Sequence, residues 1–123
     1  MKNILAILLL AFLINCNPST KSSEIESVNA TKILKQKLKE NPFLVDVRTP
    51  EEFAKGSING AVNIPLDEIP NRISEFKGKK NIVTFCVTGR RSGEAIKILK
   101  ENGITDVTSG IGVENLKKLE AEK

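Results

Sequence analysis

The sequence contains no histidine, no tryptophan and no tyrosine, and it has only two cysteines in 123 residues. Without histidine there is no imidazole general base, no Cys-His or Ser-His-Asp nucleophile pair and no histidine metal site, so any cysteine chemistry needs another means of activation. Beyond the first 16 positions the aromatic residues are Phe43, Phe53, Phe76 and Phe85. That set is too sparse to stack nucleic-acid bases. Charge of neither sign dominates, with 19 Lys and Arg against 15 Asp and Glu and a formal net charge of +4. Scattered lysines of this kind read as solvated helix faces, and nucleic acid is not an expected partner. The length accommodates one domain.

Long hydrophobic runs are also scarce, and the one present is informative. Lys2 precedes the apolar stretch Ile4 to Ile14, eleven residues that fall short of the ~20 needed to cross a bilayer and fit the core of a signal peptide. Its end, Leu13-Ile14-Asn15-Cys16, resembles a bacterial lipobox, in which the cysteine becomes the lipidated first residue of the mature protein; Asn15 stands where Gly, Ala or Ser is usual. An ordinary signal peptide cut nearby would instead leave Cys16 as a free thiol. The polar stretch that follows directly favours the lipid. The expected organisation is a lipoprotein-type signal peptide over residues 1–15, a lipidated tether over 16–24 and a folded domain over 25–123. Such a chain is exported to the periplasm or cell envelope and held at a membrane through its N-terminal lipid.

From Ile25 onward helical and strand patterns alternate. Asn29 is placed to cap a helix through Lys39, with Ile33, Leu34 and Leu38 on one face. Phe43-Leu44-Val45-Asp46-Val47 reads as a buried parallel strand. Thr49-Pro50-Glu51-Glu52 forms a capping box with Pro at the first helical position, which predicts a short helix to Lys55 ending at Gly56. Ala61 to Ile64 is the next strand, and Leu66, Ile69, Ile73 and Phe76 mark a helix face. Ile82 to Phe85 is a strand, Ser92 to Asn102 a helix, residues 106–108 a last strand, and Val113 to Glu122 a closing helix. This alternation predicts an α/β fold with a mainly parallel sheet between two helical layers.

Ligands of such folds sit beyond the carboxyl ends of the strands, and the Ile82 to Phe85 strand delivers Cys86 there. Cys86-Val87-Thr88-Gly89-Arg90-Arg91-Ser92 then leads straight into a helix. Loop amides, a helix N-terminus and guanidinium groups around one sulfur favour thiolate over thiol. A buried, inert cysteine is the plainer reading of Cys86 alone, but Gly89, Arg90 and Arg91 at cradle spacing argue for an active one.

The pattern Cys86-x-x-Gly89-x-Arg91-Ser92 resembles the active-site loop of single-domain rhodaneses, the thiosulfate sulfurtransferases. Asp46-Val47-Arg48 followed by Glu52-Phe53 is similar to the family's Asp-Val-Arg and Glu-Phe segment. Gly56 to Pro65 resembles its Gly-His-Ile-x-Gly-Ala-x-Asn-Ile-Pro stretch, with Ser57 in the histidine position. The family's common Gly-Gly and Trp near the last helix are reduced to Ser109-Gly110 with no Trp. The likeness covers residues 25–120 and implies the rhodanese-like three-layer α/β/α fold. Cysteine phosphatases and arsenate reductases of this fold carry their Arg one position further from Cys, where this chain has Ser92.

The resemblance implies that Cys86 attacks the outer sulfur of thiosulfate or a related anionic donor, holds a persulfide and passes the sulfur to a thiol, cyanide or a protein acceptor. Val87, Thr88, Gly89, Arg90, Arg91 and Ser92 are the expected binding residues, with the amides stabilising the persulfide, Arg91 orienting the donor, Arg90 either joining it or standing as a solvent-facing charge, and Ser92 capping the following helix. Asp46 and Arg48 are expected to support the loop as an ion pair or hydrogen-bond set. No metal or organic cofactor is implied. The alternative is a carrier or anion-binding module of the same fold that does not turn over.

Overall fold

A computed structural model describes residues 19–123, with side chains from residue 23 onward. The expected signal peptide and Cys16 lie outside the described residues. Four strands form one sheet in the order β2-β1-β3-β4, all neighbours parallel: β1 Phe43–Asp46, β2 Val62–Asn63, β3 Ile82–Cys86 and β4 Val107–Gly112. β3 lies inside the sheet with all five residues buried, as its mostly apolar sequence fits, with the Thr84 hydroxyl satisfied against Ser92.

Two separate cores cover the two faces of the sheet. On one, Val45, Val47, Ile82 and Cys86 pack with Ala95 and Leu99 of helix α3 (Arg90–Glu101) and with Ile69 and Phe76. On the other, Leu44, Val83 and Phe85 pack with Leu34 and Leu38 of helix α1 (Ser19–Lys39) and with Leu116 and Leu119 of helix α4 (Val113–Ala121). The chain is a three-layer α/β/α domain with a parallel sheet.

Several elements differ in extent from their sequence signals. α1 begins at Ser19, not at Asn29, so residues 19–24 are helical and Asn29 lies in mid-helix. Nothing between Ser19 and Lys39 breaks a helix, and the low-propensity residues bond back into it: Ser27 Oγ donates to Glu24 O at 2.8 Å and Thr31 Oγ1 to Ser27 O at 3.0 Å. The helix expected over 66–76 is two 3₁₀ segments, Leu66–Asn71 and Ile73–Glu75. Pro70 has no N–H to give, and the chain tightens to bonds such as Arg72 N to Ile69 O and Phe76 N to Ile73 O, both 3.0 Å. The apolar face survives the change, because Ile69 and Phe76 are fully buried.

The short helix α2 (Pro50–Ala54) carries the capping box, with Thr49 Oγ1 accepting from Glu52 N and the Glu52 carboxylate facing the Thr49 N–H. β4 runs on to Gly112 with one extra residue against β3, since Thr84 pairs with Ser109 but Cys86 with Gly112. This bulge puts Ile111 at φ 66°, a left-handed conformation that a β-branched residue rarely adopts.

Candidate functional site

β3 ends at Cys86, α3 begins at Arg90, and Val87 to Gly89 make the turn between them. Gly89 supplies the left-handed cap of α3 at φ 97°, which a side chain would resist, and so aims its N–H at Cys86 Sγ, 3.0 Å away. The sulfur also lies 3.6 Å from the Ile111 carbonyl, which accepts from the S–H of the thiol. Cys86 is 1% exposed at the floor of the loop, whereas Val87 and Ile111 beside it stand 53% and 48% exposed. The first turn of α3 points its free amides and the positive end of its dipole toward the same region.

The loop rests on the β4 bulge at a contact only glycine permits. A Cβ on Gly112 would sit 2.1 Å from Val87 O. Ser92 belongs to this support and does not cap α3, whose cap is Gly89. Fully buried, its Oγ donates to Thr84 O at 3.1 Å and shares a 2.6 Å hydrogen bond with Ser109 Oγ. Ser109 Oγ in turn accepts from Ile111 N at 3.1 Å. A chain of hydroxyls therefore runs from the first turn of α3 to the bulge whose carbonyl faces the sulfur.

The two arginines of the loop each pair with a carboxylate. Arg90 is exposed and pairs with Glu94 one helical turn on, Nη1 to Oε1 2.8 Å. Arg91 grips Glu52 of α2 through Nη1 at 2.7 Å and Nη2 at 3.0 Å. That pair holds the Glu52 carboxyl down at about 2, chiefly through the Arg91 hydrogen bonds, and raises the Arg91 guanidinium further above its ordinary value. Negative charge at Cys86 would add to the factors that favour the charged Arg91.

Asp46 and Arg48 form a buried ion pair at the carboxyl end of β1. Arg48 Nε lies 3.0 Å from both Asp46 oxygens and Nη2 2.7 Å from Oδ2, while the same Nη2 reaches Gly56 O at 2.7 Å. The Asp46 hydrogen bonds raise the Arg48 guanidinium above its usual value. Ser57 Oγ donates to Asp46 Oδ2 at 2.7 Å, and Asn63 Nδ2 donates to the Asp46 and Arg48 carbonyls at 3.0 and 2.9 Å. These bonds fix the segment after α2 and the end of β2 against β1.

The sequence pattern does not single out Glu52, Ser57, Ser109, Ile111 or Gly112 as parts of the site. Glu52 is visible there as a helix cap and as part of the Glu52-Phe53 segment, neither of which points to Arg91. The Ile111 conformation has no sequence signal at all, because it arises from a bulge in the pairing of β4.

Residues 30–112 match the family model described as a rhodanese-like domain. Thiosulfate sulfurtransferase PspE of Escherichia coli is 39% identical over 74 residues, covering 58% of this chain and 71% of that protein. The putative sulfur carrier protein YrkF of Bacillus subtilis is 36% identical over 96 residues, 71% of this chain and 52% of that one. Among solved structures, a rhodanese with anions from E. coli superposes with a TM-score of 0.55 at 35% identity, covering 60% of this chain and 89% of that chain. With a family model matched over most of its described length, and a cysteine loop at the carboxyl end of a parallel sheet, the chain belongs to the rhodanese-like domain family.

Proposed function

We propose that the protein is a sulfurtransferase that carries sulfane sulfur on Cys86. The observation that carries this reading is the Gly89 N–H held 3.0 Å from Cys86 Sγ at the head of α3. A donor aimed at the sulfur stabilises negative charge there without a base to take the proton, which suits a chain with no histidine. Sulfur transfer in the sulfurtransferase PspE supports the same chemistry.

In the first step the Cys86 thiolate attacks the outer sulfur of thiosulfate. The new S–S bond forms as the bond to the sulfonate sulfur breaks, and its electron pair leaves with sulfite. In the second step the outer sulfur of the persulfide passes to cyanide, a thiol or a protein acceptor, and the Cys86 thiolate returns. Exposing the purified domain to thiosulfate and measuring intact mass tests the first step. A gain of one sulfur on Cys86, absent in Cys86→Ser, is the expected result; an unmodified wild-type chain refutes it.

A carrier role is the second reading, favoured by the commitment of both arginines to carboxylates, Arg90 to Glu94 and Arg91 to Glu52. With the guanidinium groups occupied, the loop is better equipped to hold a persulfide than to draw in a small anion. The name of YrkF, a putative sulfur carrier, accords with it. Discharge of the persulfide by cyanide or small thiols marks the enzyme, and discharge only by a protein thiol marks the carrier. We further propose that Cys16 carries a lipid and that the protein works at the cell envelope, on the strength of the apolar run Ile4 to Ile14 and the Leu13-Ile14-Asn15-Cys16 sequence.

A further inference from the structure

α1 runs antiparallel to the strands, and its direction decides where an N-terminal anchor attaches. At its carboxyl end the Lys37 and Glu40 carbonyls accept from Asn81 Nδ2, at 2.8 and 3.2 Å, just before β3 begins. Nearer its start, Ser27, Ala30 and Thr31 enclose a small cavity with Ser109 and Ile111, at the carboxyl end of β4. Ser27 therefore stands level with the bulge whose carbonyl faces Cys86 Sγ, 3.6 Å away. The helix continues back for eight more residues to Ser19, about 12 Å at 1.5 Å per residue, and so projects past the sheet on the Cys86 side. Cys16 lies three residues before Ser19, a span of at most ~11 Å.

The surface at that end matches such a position. Of the six large apolar side chains that stand exposed among the described residues, four are on it: Ile25 and Val28 on either side of Ser27 in α1, 62% and 66% exposed, and Val87 and Ile111 beside the cysteine. The opposite end of the sheet presents Lys39, Lys77, Lys79 and Lys80, all exposed. Among the described residues no helix is long and apolar enough to cross a membrane, so α1 itself is not the span.

We infer that the Cys86 end of the domain faces the lipid bilayer, with Ile25, Val28, Val87 and Ile111 turned toward the membrane surface. This rests on the anchoring at Cys16 proposed above. A sulfur acceptor would then be met at the lipid surface and not from the open solvent side. The four apolar side chains are a modest area, suited to grazing contact by an already tethered domain and not to binding lipid unaided.

The test uses the full chain isolated from cells and reconstituted into vesicles of phosphatidylethanolamine and phosphatidylglycerol. In a Cys86→Ser background, a thiol-reactive fluorophore is placed at Thr88→Cys, on the loop, or at Lys79→Cys, at the far end, and quenched by a lipid bearing a headgroup nitroxide. The background chain lacking both added cysteines reports whether Cys16 is blocked, because a lipidated Cys16 takes up no label. Vesicle binding with several-fold stronger quenching at residue 88 than at residue 79 is the expected result. Vesicle binding with equal quenching, or stronger quenching at residue 79, overturns the orientation and leaves the anchor standing. A chain that stays off the vesicles while Cys16 takes up label overturns the anchor and the orientation together.

Discussion

Arg91 at the start of α3 and Glu52 in α2 meet as a two-point ion pair, with Nη1 to Oε1 at 2.7 Å and Nη2 to Oε2 at 3.0 Å. The same Glu52 closes the capping box of α2 on Thr49. One carboxylate thus sets the end of a short helix and holds a guanidinium of the first turn of α3. Any anion that approaches Arg91 has to compete with it.

Replacing Glu52 by Gln removes the charge and keeps the cap, since Gln serves at the third helical position as well as Glu. Arg91 then keeps its place near the loop but is free to meet the donor. Partly exposed ion pairs are worth up to ~1 kcal/mol, so KM for thiosulfate should fall by at most about fivefold. Steady-state kinetics over a range of thiosulfate concentrations measures it. An unchanged or raised KM would mean that the donor never engages Arg91.

The pair also sets an acid limit. Glu52 titrates at about 2 in the folded chain against an ordinary value of 4.5. A carboxyl whose folded value is depressed contributes stability in full above the unfolded value, and loses it as the pH falls through the folded one. The difference in melting temperature between wild type and Glu52→Gln should therefore hold steady above pH ~5, shrink from about pH 4.5 downward and vanish near pH 2. Thermal melts at spaced pH values read the trend directly. A difference that stays constant to pH 2 would place the stabilising effect of Glu52 elsewhere than in this ion pair.

Gly112→Ala should harm the site more than the fold. The added Cβ would stand 2.1 Å from Val87 O, a backbone atom that no rotamer change can move aside. Overpacking of this kind costs about 1–3 kcal/mol, and displacing a reacting atom by 1 Å can cost about a hundredfold in rate. The expected outcome is a folded protein with persulfide formation slowed by at least roughly tenfold. Gly110→Ala is the control, since the nearest atoms to its Cβ would belong to the Leu116 side chain, at 2.8 Å and beyond, and not to the Cys86 loop. Equal rate losses in the two variants would remove Val87 O as the cause.

Local signals in the sequence are clearest where one residue type has one physical use. The capping box at Thr49 to Glu52, the buried run of β3 and the position of Cys86 at its end are all of this kind, and the structure has them in place. The apolar spacing over residues 66–76 pointed to an α-helix and missed the effect of Pro70, whose lost N–H is compatible with a kinked α-helix or with the 3₁₀ turns that form. The partners of Arg91 and Ser92 were not legible. Glu52 is 39 residues from Arg91 and Ser109 is 17 from Ser92, and only the assembled sheet brings them together. For Ser92 the position at a helix start suggested a cap, but Gly89 already turns the chain, leaving the hydroxyl to face inward.

The Asp46–Arg48 pair gives the largest expected stability effect. Asp46 is fully buried, and Arg48→Met would leave its carboxylate with Ser57 Oγ and the backbone N–H of residue 48 as hydrogen-bond donors. Breaking a buried pair from one side costs about 3–5 kcal/mol, because an uncompensated charge remains inside. Ser57→Ala removes one donor to the same carboxylate and should cost about 1–3 kcal/mol. The double variant Asp46→Val with Arg48→Met removes both charges at once and should recover part of the loss, since a buried pair replaced by apolar groups is often neutral. Urea unfolding of the wild type, Asp46→Val, Arg48→Met and the double variant gives the coupling directly. If the double variant were as unstable as the sum of its parts, the pair would be acting through packing and backbone contacts, such as Arg48 Nη2 to Gly56 O, and not through the charge it neutralises.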